Sequence, residues 1–260
     1  MTKVAIVGIA GRMGRSILEN AAEMDGVEVV GGTESSGAPE VGEALDPGGV
    51  LVSDDYEEAF SGADVAIDFS APTAAVEAAH AAARLGLGFV SGTTGLSEDQ
   101  EGKVAAHGES IPVMRASNFS VGINLLLKLV GDASAATEGD FDIEVFEAHH
   151  RNKVDAPSGT ALSLGESAAE ARDWDLDEVA EWGRHGHTGE RQDREIGFQV
   201  LRGGGIVGEH TVALCGPSER IELTHRAGDR AIFARGAITA ASWIAGKSPG
   251  NYTMRDVLFG

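Results

Sequence analysis

The segment Glu147-Ala148-His149-His150-Arg151-Asn152-Lys153-Val154-Asp155-Ala156-Pro157-Ser158-Gly159-Thr160-Ala161 puts four potential cations into five consecutive positions. The chain around it holds 41 acidic residues against 20 basic ones. Lysine is scarce, occurring only at Lys3, Lys103, Lys128, Lys153 and Lys247, so Lys153 inside this cluster is informative. An island of positive charge in an acidic chain suits a small, multiply anionic substrate, with dicarboxylates the expected class. Pro157-Ser158-Gly159-Thr160 reads as a helix start, where N–H groups that lack an intrahelical acceptor can take a carboxylate. Histidine supplies a proton donor near neutral pH. A metal site or a satisfied surface pair are the other readings of His149 and His150. Against metal, no Asp, Glu or Cys shows helical ligand spacing to both, and on a continuing strand the two would point to opposite faces. No metal is expected.

A second chemical signature lies at the other end. Gly8-Ile9-Ala10-Gly11-Arg12-Met13-Gly14 has the spacing G-x-x-G-x-x-G, directly after a strand and opening a helix. Glycines there permit a tight turn, let backbone N–H groups approach a pyrophosphate, and let helix pack on strand. Arg12 adds a cation beside the phosphates. Glu34 follows the second strand, 20 residues beyond Gly14, where an acid can bind the adenosine ribose hydroxyls. An acid there favours NAD over NADP, because a 2′-phosphate would meet a like charge; the alternative is one more surface acid. Gly92-Thr93-Thr94-Gly95, after another strand, is either a loop beside the nicotinamide or a plain turn. Cys215, the lone cysteine, can form no intramolecular disulfide, and its place after Thr211–Leu214 suits a buried structural thiol.

The elements that must hold these residues follow from periodicity. Val4–Val7, Val27–Gly31, Val65–Phe69, Leu87–Val90 and Ile111–Met114 read as buried strands. Helical patterns at Met13–Met24, Tyr56–Phe60, Pro72–Leu85 and Glu98–His107 lie between them. Pro72 suits a first helical turn, and Ser97 before Glu98 and Glu101 suits a helix start. Such alternation means parallel, right-handed β-α-β units with ligands at the strands' carboxyl ends. After about residue 120 the pattern changes. A helix over Val121–Ala136 leads to a strand in which Phe141, Ile143 and Val145 alternate with acids, the mark of a sheet with one wet face. Ser158–Arg172 looks helical. Glu195–Arg202, Ile206–Leu214 and Arg220–His225, joined by short turns, read as an antiparallel meander, and a helix over Arg230–Ile244 precedes a tail.

The 260 residues allow one large or two ordinary domains, and the pattern favours two of different class. A net charge of −21 excludes nucleic-acid binding through a basic face. No apolar run approaches the roughly 20 residues of a membrane helix, and no signal segment precedes the first strand, so the cytoplasm is the expected location. An acidic coat spread along the chain repels itself in dilute salt, which points to a cytoplasm of high salt or to an ordinary acidic protein.

Together, Gly8–Arg15, Asp68-Phe69-Ser70, Gly92–Gly95, Ser117-Asn118-Phe119-Ser120-Val121-Gly122, Glu147–Leu162, Gly186–Arg191 and Gly208-Glu209-His210-Thr211 resemble the 4-hydroxy-tetrahydrodipicolinate reductase (dihydrodipicolinate reductase) family, in order and over nearly the whole chain. The resemblance implies an α/β protein: a Rossmann-like parallel-sheet domain over 1–120 and 227–260, and an α+β substrate and oligomerisation domain with an open mixed sheet over 121–226. It implies NADH or NADPH as cofactor, a dicarboxylate substrate, a homotetramer, and a place in lysine biosynthesis through diaminopimelate. It assigns cofactor contacts to Gly8, Ile9, Ala10, Gly11, Arg12, Met13, Glu34, Gly92, Thr93, Thr94, Ala116, Ser117, Asn118 and Phe119. It gives His149 the role of proton donor or acceptor and Lys153 that of proton donor, and it assigns His150, Gly159 and Thr160 to the substrate carboxylates. Ser35 stands where many members carry the arginine that meets the NADP phosphate. Two other classes remain: another NAD(P)-dependent oxidoreductase, such as an aspartate dehydrogenase, and a nucleotide sensor without chemistry.

Overall fold

The computed structural model describes residues 1–137 and 139–260. The chain divides into two compact units, Met1–Val121 with Ala231–Gly260, and Gly122–Arg230.

The first unit runs β1 (Thr2–Val7), α1 (Arg12–Glu23), β2 (Val27–Thr33), β3 (Ala44–Leu45), β4 (Val50–Ser53), α2 (Tyr56–Ala59), β5 (Val65–Asp68), α3 (Pro72–Leu85), β6 (Gly88–Ser91), α4 (Glu98–Ala106) and β7 (Pro112–Arg115). Its sheet has the order β7-β6-β5-β1-β2-β4-β3, parallel throughout except for the β3–β4 pair. The chain moves outward one way from β1 through β2 and β4, then crosses to β5 and moves the other way. That reversal leaves a crevice at the carboxyl ends of β1 and β5.

Alternation along β1 decides the two faces. Val4 and Ile6 join one buried cluster with Ile17 and Leu18 of α1, while Ala5 and Val7 join another with Ala78 and Ala82 of α3. Each large aliphatic side chain so buried contributes about 1.5–3 kcal/mol. Pro72 is the first residue of α3, and Ser97 caps α4 by accepting the Gln100 N–H at 3.3 Å.

The second unit holds all but the first residue of α5 (Val121–Ala136), then β8 (Asp142–His149), α6 (Gly159–Glu170), α7 (Leu176–Val179), β9 (Ala180–Glu181), β10 (Ile196–Arg202), β11 (Glu209–Cys215) and β12 (Arg220–Arg226). The sheet order is β12-β11-β8-β10-β9. This corrects the expected meander: β10 and β11 are not neighbours, because β8 lies between them, parallel to β10 and antiparallel to β11. The stretch between β8 and β10 is a parallel crossover carrying α6 and α7, a long-range pairing that local turn signals do not encode. The strand expected from Ile206 begins only at Glu209. Ile143, Val145, Phe198, Val212 and Leu214 pack with Leu126 and Val130 of α5 and Leu164 of α6 on one face. On the other face Phe146 is 44% and Leu201 53% exposed. Cys215 ends β11 half-buried, not buried, and its partial burial raises the thiol pKa, which makes it a poor nucleophile.

The long helix α8 (Ala231–Ile244) returns to the first unit and packs on α1. The expected tail is structured: β13 (Gly250–Tyr252) extends the parallel sheet beside β7, and α9 (Met254–Phe259) follows. No helix among the described residues is long and apolar enough to cross a membrane.

Candidate active site

In the first unit, the turn between β1 and α1 is built by glycines with separate tasks. Gly8 has φ +72°, a left-handed conformation that disfavours a side chain. A Cβ on Gly14 would lie 2.2 Å from the Gly8 carbonyl oxygen, so only glycine lets α1 sit this close to the strand end. Ile9 is buried and contributes backbone, Gly11 and Arg12 are exposed, and Ala10 and Met13 are half-buried. Glu34, one residue past β2, accepts the Ala10 N–H at 2.9 Å and so touches the glycine turn. A cleft of about 580 Å³ opens here, lined by Gly8, Gly11, Glu34, Ser35, Asp54, Phe69, Ser70 and Glu77 among others. Its lining holds three carboxylates and no lysine or arginine.

The next strand ends are tied to one another by a buried acid. Asp68 is fully buried and accepts the hydroxyls of Ser70 at 2.5 Å and Ser91 at 2.6 Å. The Ser70 N–H donates to Thr93 Oγ1 at 2.9 Å, and Arg115 donates to the Thr93 carbonyl at 2.9 Å while pairing with Glu101. A Cβ on Gly92 would lie 2.2 Å from the Phe69 ring, so the loop Gly92–Thr94 is set against that ring. Beyond β7, the Ala116 N–H donates to the Ser91 carbonyl at 3.2 Å, Ser117 is exposed, Asn118 accepts the Ser120 N–H at 2.9 Å, and Phe119 is buried with its ring 5.6 Å from that of Phe69. The residues suit a dinucleotide: a backbone cradle that a Cβ would fill, an acid at the end of the second strand, and a cleft at the reversal point of the sheet.

In the second unit, the side chains that could move protons lie around one buried carboxylate, which His149 contacts directly. Period two along β8 carries the apolar stripe of Ile143 and Val145 onward to Glu147 and His149, which are 4% and 9% exposed. Glu147 receives the His149 Nδ1 contact at 2.5 Å on one oxygen and the Ser158 N–H at 3.0 Å on the other. Arg202, at the end of β10, grips both oxygens at 2.7 and 2.8 Å and also donates to the Asp155 carbonyl at 2.7 Å. Lys153 pairs with Asp155 at 2.9 Å. His210 of β11 lies 3.1 Å from the Ser158 hydroxyl, and its ring meets that of His149 edge-on at 5.1 Å. Ser158 caps α6 by accepting the Ala161 N–H at 3.2 Å, which leaves Gly159, exposed, and Thr160, half-buried, as the first helical residues. A Cβ on Gly208 would lie 3.1 Å from His149 Nε2, so glycine keeps that nitrogen approachable.

Electrostatics separates these groups. Burial alone would raise the Glu147 carboxyl, but hydrogen bonds from Arg202, His149 and Ser158 hold it below the usual carboxylate range. Burial pushes His149 down, outweighing the pull of Glu147, with Lys153 and Arg202 adding to the depression. Burial and the neighbouring His149 push His210 to about 4. The site thus combines an anchored carboxylate, imidazoles held neutral, and a lysine at the start of the same loop. Such a set can deliver a proton and receive anions.

The structure links His149 and Lys153 through Glu147, Arg202 and Asp155, and Ser158, the residue before Gly159 and Thr160, bonds to the same Glu147 carboxylate. His150 contacts Arg230 at 3.2 Å, and Arg151 is exposed. Glu147, Ser158, Arg202 and His210 form the buried support, a role the sequence reading did not give them. The signal was present: Phe198, Val200 and Arg202 share one stripe, as do Leu214, Val212 and His210. Continuing each apolar stripe by its period of two ends on a polar residue at the same edge of the sheet. Among the described residues, no group of three or more His, Cys, Asp or Glu side chains could hold a metal ion.

Comparison with known proteins adds an independent line. Residues 2–119 match the family model for the N-terminus of dihydrodipicolinate reductase, and residues 122–258 match that for its C-terminus. The 4-hydroxy-tetrahydrodipicolinate reductase of Alkalilimnicola ehrlichii is 49% identical, covering 99% of this chain and 98% of that protein. That of Thiobacillus denitrificans is 48% identical, covering 98% of each. The solved dipicolinate-bound dihydrodipicolinate reductase of Paenisporosarcina sp. TG-14 shares the fold, with a TM-score of 0.80 at 23% identity over both whole chains. With both halves matched and near-complete relatives at almost half identity, the chain belongs to the dihydrodipicolinate reductase family.

Proposed function

We propose that this chain reduces 4-hydroxy-tetrahydrodipicolinate to tetrahydrodipicolinate with NADH or NADPH and loss of water, as a cytoplasmic step of lysine biosynthesis through diaminopimelate. The full-length identity to reductases of that name, with the glycine turn and the cation island both intact, carries this reading. A bound reduced nicotinamide supplies the hydride. The residues of the chain hold the partners and manage charge. Gly8–Met13 receive the pyrophosphate and Glu34 the ribose, while Gly92–Thr94 and Ala116–Phe119 flank the nicotinamide. His150, Gly159 and Thr160 bind the substrate carboxylates. Loss of the ring hydroxyl as water leaves a conjugated C=C–C=N system; hydride adds at one carbon, the electron pair shifts along the conjugation, and the adjacent carbon takes a proton. Lys153 or His149 supplies that proton.

Two finer assignments belong here. Glu34, Asp54 and Glu77 line the cleft with no cation among its lining, which supports NADH over NADPH, since each like-charge approach at 4 Å costs about 1 kcal/mol even in water. The exposed outer face of the second sheet, with Phe146 and Leu201, supports assembly into a homotetramer. The test is an assay in which the product of the preceding synthase meets the enzyme with NADH or NADPH, at low and at high potassium chloride, following nicotinamide absorbance. Turnover faster with NADH, and sustained in high salt, is expected; no oxidation of either nicotinamide would overturn the reading.

A further inference from the structure

The carboxylate of Glu147 links three parts of the second-unit site. It meets His149 Nδ1, the N–H of the residue capping α6, and the guanidinium that in turn holds the Asp155 carbonyl beside Lys153. We infer that Glu147, clamped by Arg202, is a positioning residue for the reduction: it fixes His149 as the Nδ1–H tautomer, turning Nε2 toward the substrate side, and aligns that imidazole with the carboxylate-binding start of α6.

The physical case is one of geometry and satisfaction. A carboxylate is an acceptor only, so the 2.5 Å contact requires the proton on Nδ1. The other nitrogen then faces the space that Gly208 leaves open. An anion that is 4% exposed is sustained only by close partners, and Arg202 supplies the bidentate one. Breaking the clamp leaves an uncompensated buried charge and also releases the loop holding Lys153. The charged and titratable groups around His149 are Glu147 on its own strand, Arg202 on β10, His210 on β11, and Lys153, paired with Asp155, on the loop after β8. His225, one strand further on β12, faces His210. Among these, Glu147 is the partner that lifts the His149 pKa, while burial, Lys153 and Arg202 lower it.

The inference rests on the proposed reduction for its kinetic readout, but its spectroscopic readout does not. Long-range ¹H–¹⁵N spectra of the full chain report the His149 tautomer directly. Wild type is expected in the Nδ1–H form, and Glu147→Gln in a mixed or Nε2–H form. In kinetics, Glu147→Gln is expected to lower kcat at least tenfold with KM changed less than threefold, and to move the limb of the pH profile belonging to His149 downward. Arg202→Lys keeps the charge but not the fork, so it is expected to fall between the two and serves if Glu147→Gln does not fold. An unchanged tautomer with wild-type kcat and pH profile in either variant would overturn the inference. A wild-type enzyme without turnover would overturn the reduction alone, and the tautomer result would still decide the positioning role.

Discussion

At the scale of single residues, the proposed chemistry assigns roles to a lysine and a histidine that are held by different means. Lys153 sits on a loop paired with Asp155, while His149 is locked in a buried network. Replacing Lys153 by Ala removes a cation and one of the two proposed proton sources without opening a core cavity. It is expected to lower kcat/KM by about 10²–10⁴-fold with the melting temperature nearly unchanged, measured by steady-state kinetics and thermal melts. The buried imidazoles set the acid response. His210 has a folded pKa of about 4 against an ordinary 6.5, so the unfolded chain binds the proton first. The stability it contributes is therefore full above about pH 6.5 and is lost as pH falls toward 4, amounting to at most about 3 kcal/mol. Glu147, depressed in its turn, adds a further loss only below the ordinary carboxylate range. Melts across this window should slope downward for wild type and less steeply for His210→Gln; parallel curves would refute the assignment. Residue types and spacing made His149, Lys153 and the glycine turn legible in sequence. The support of Glu147 by Arg202 was not, because residues 55 positions apart meet only when β8 and β10 pair.

At the scale of elements, the parallel strands and their helices were legible because burial on both faces makes short β-branched runs and the helices keep a 3.6-residue period. What escaped was pairing: the insertion of β8 between β10 and β11, and the short strand β13, whose three residues carry no pattern of their own. The turn between β1 and α1 tests how much the close approach matters. Gly14→Ala would force a Cβ 2.2 Å from the Gly8 oxygen and 2.6 Å from Ile9 Cα, both backbone atoms that cannot swing aside. It should destabilise by about 1–3 kcal/mol and weaken NADH binding at least tenfold by calorimetry. Gly102→Ala in the middle of α4, where an added Cβ meets nothing within 4 Å, should instead stabilise by about 0.5–1 kcal/mol. Equal effects of the two would contradict the cradle.

At the scale of the whole molecule, charge and an uncovered sheet face set behaviour in solution. A net charge of −21 leaves the cations at residues 149–153 as a local exception in an otherwise repulsive field, and this is why a dianionic substrate needs them. The outer face of the second sheet carries Phe146 and Leu201 among polar neighbours. Light scattering should give a tetramer for wild type and smaller species for Phe146→Asp; a monomeric wild type would remove the assembly. Composition argued against a basic nucleic-acid face, but it could not say which sheet face stays open, since that follows from where α5 and α6 pack. The most direct measurement of the central claim is deuterium transfer. Wild-type enzyme, given NADH deuterated at the reactive carbon and 4-hydroxy-tetrahydrodipicolinate, should place deuterium on a ring carbon of tetrahydrodipicolinate as the nicotinamide is oxidised. Oxidation with no deuterium in that ring, or no oxidation at all, would contradict it.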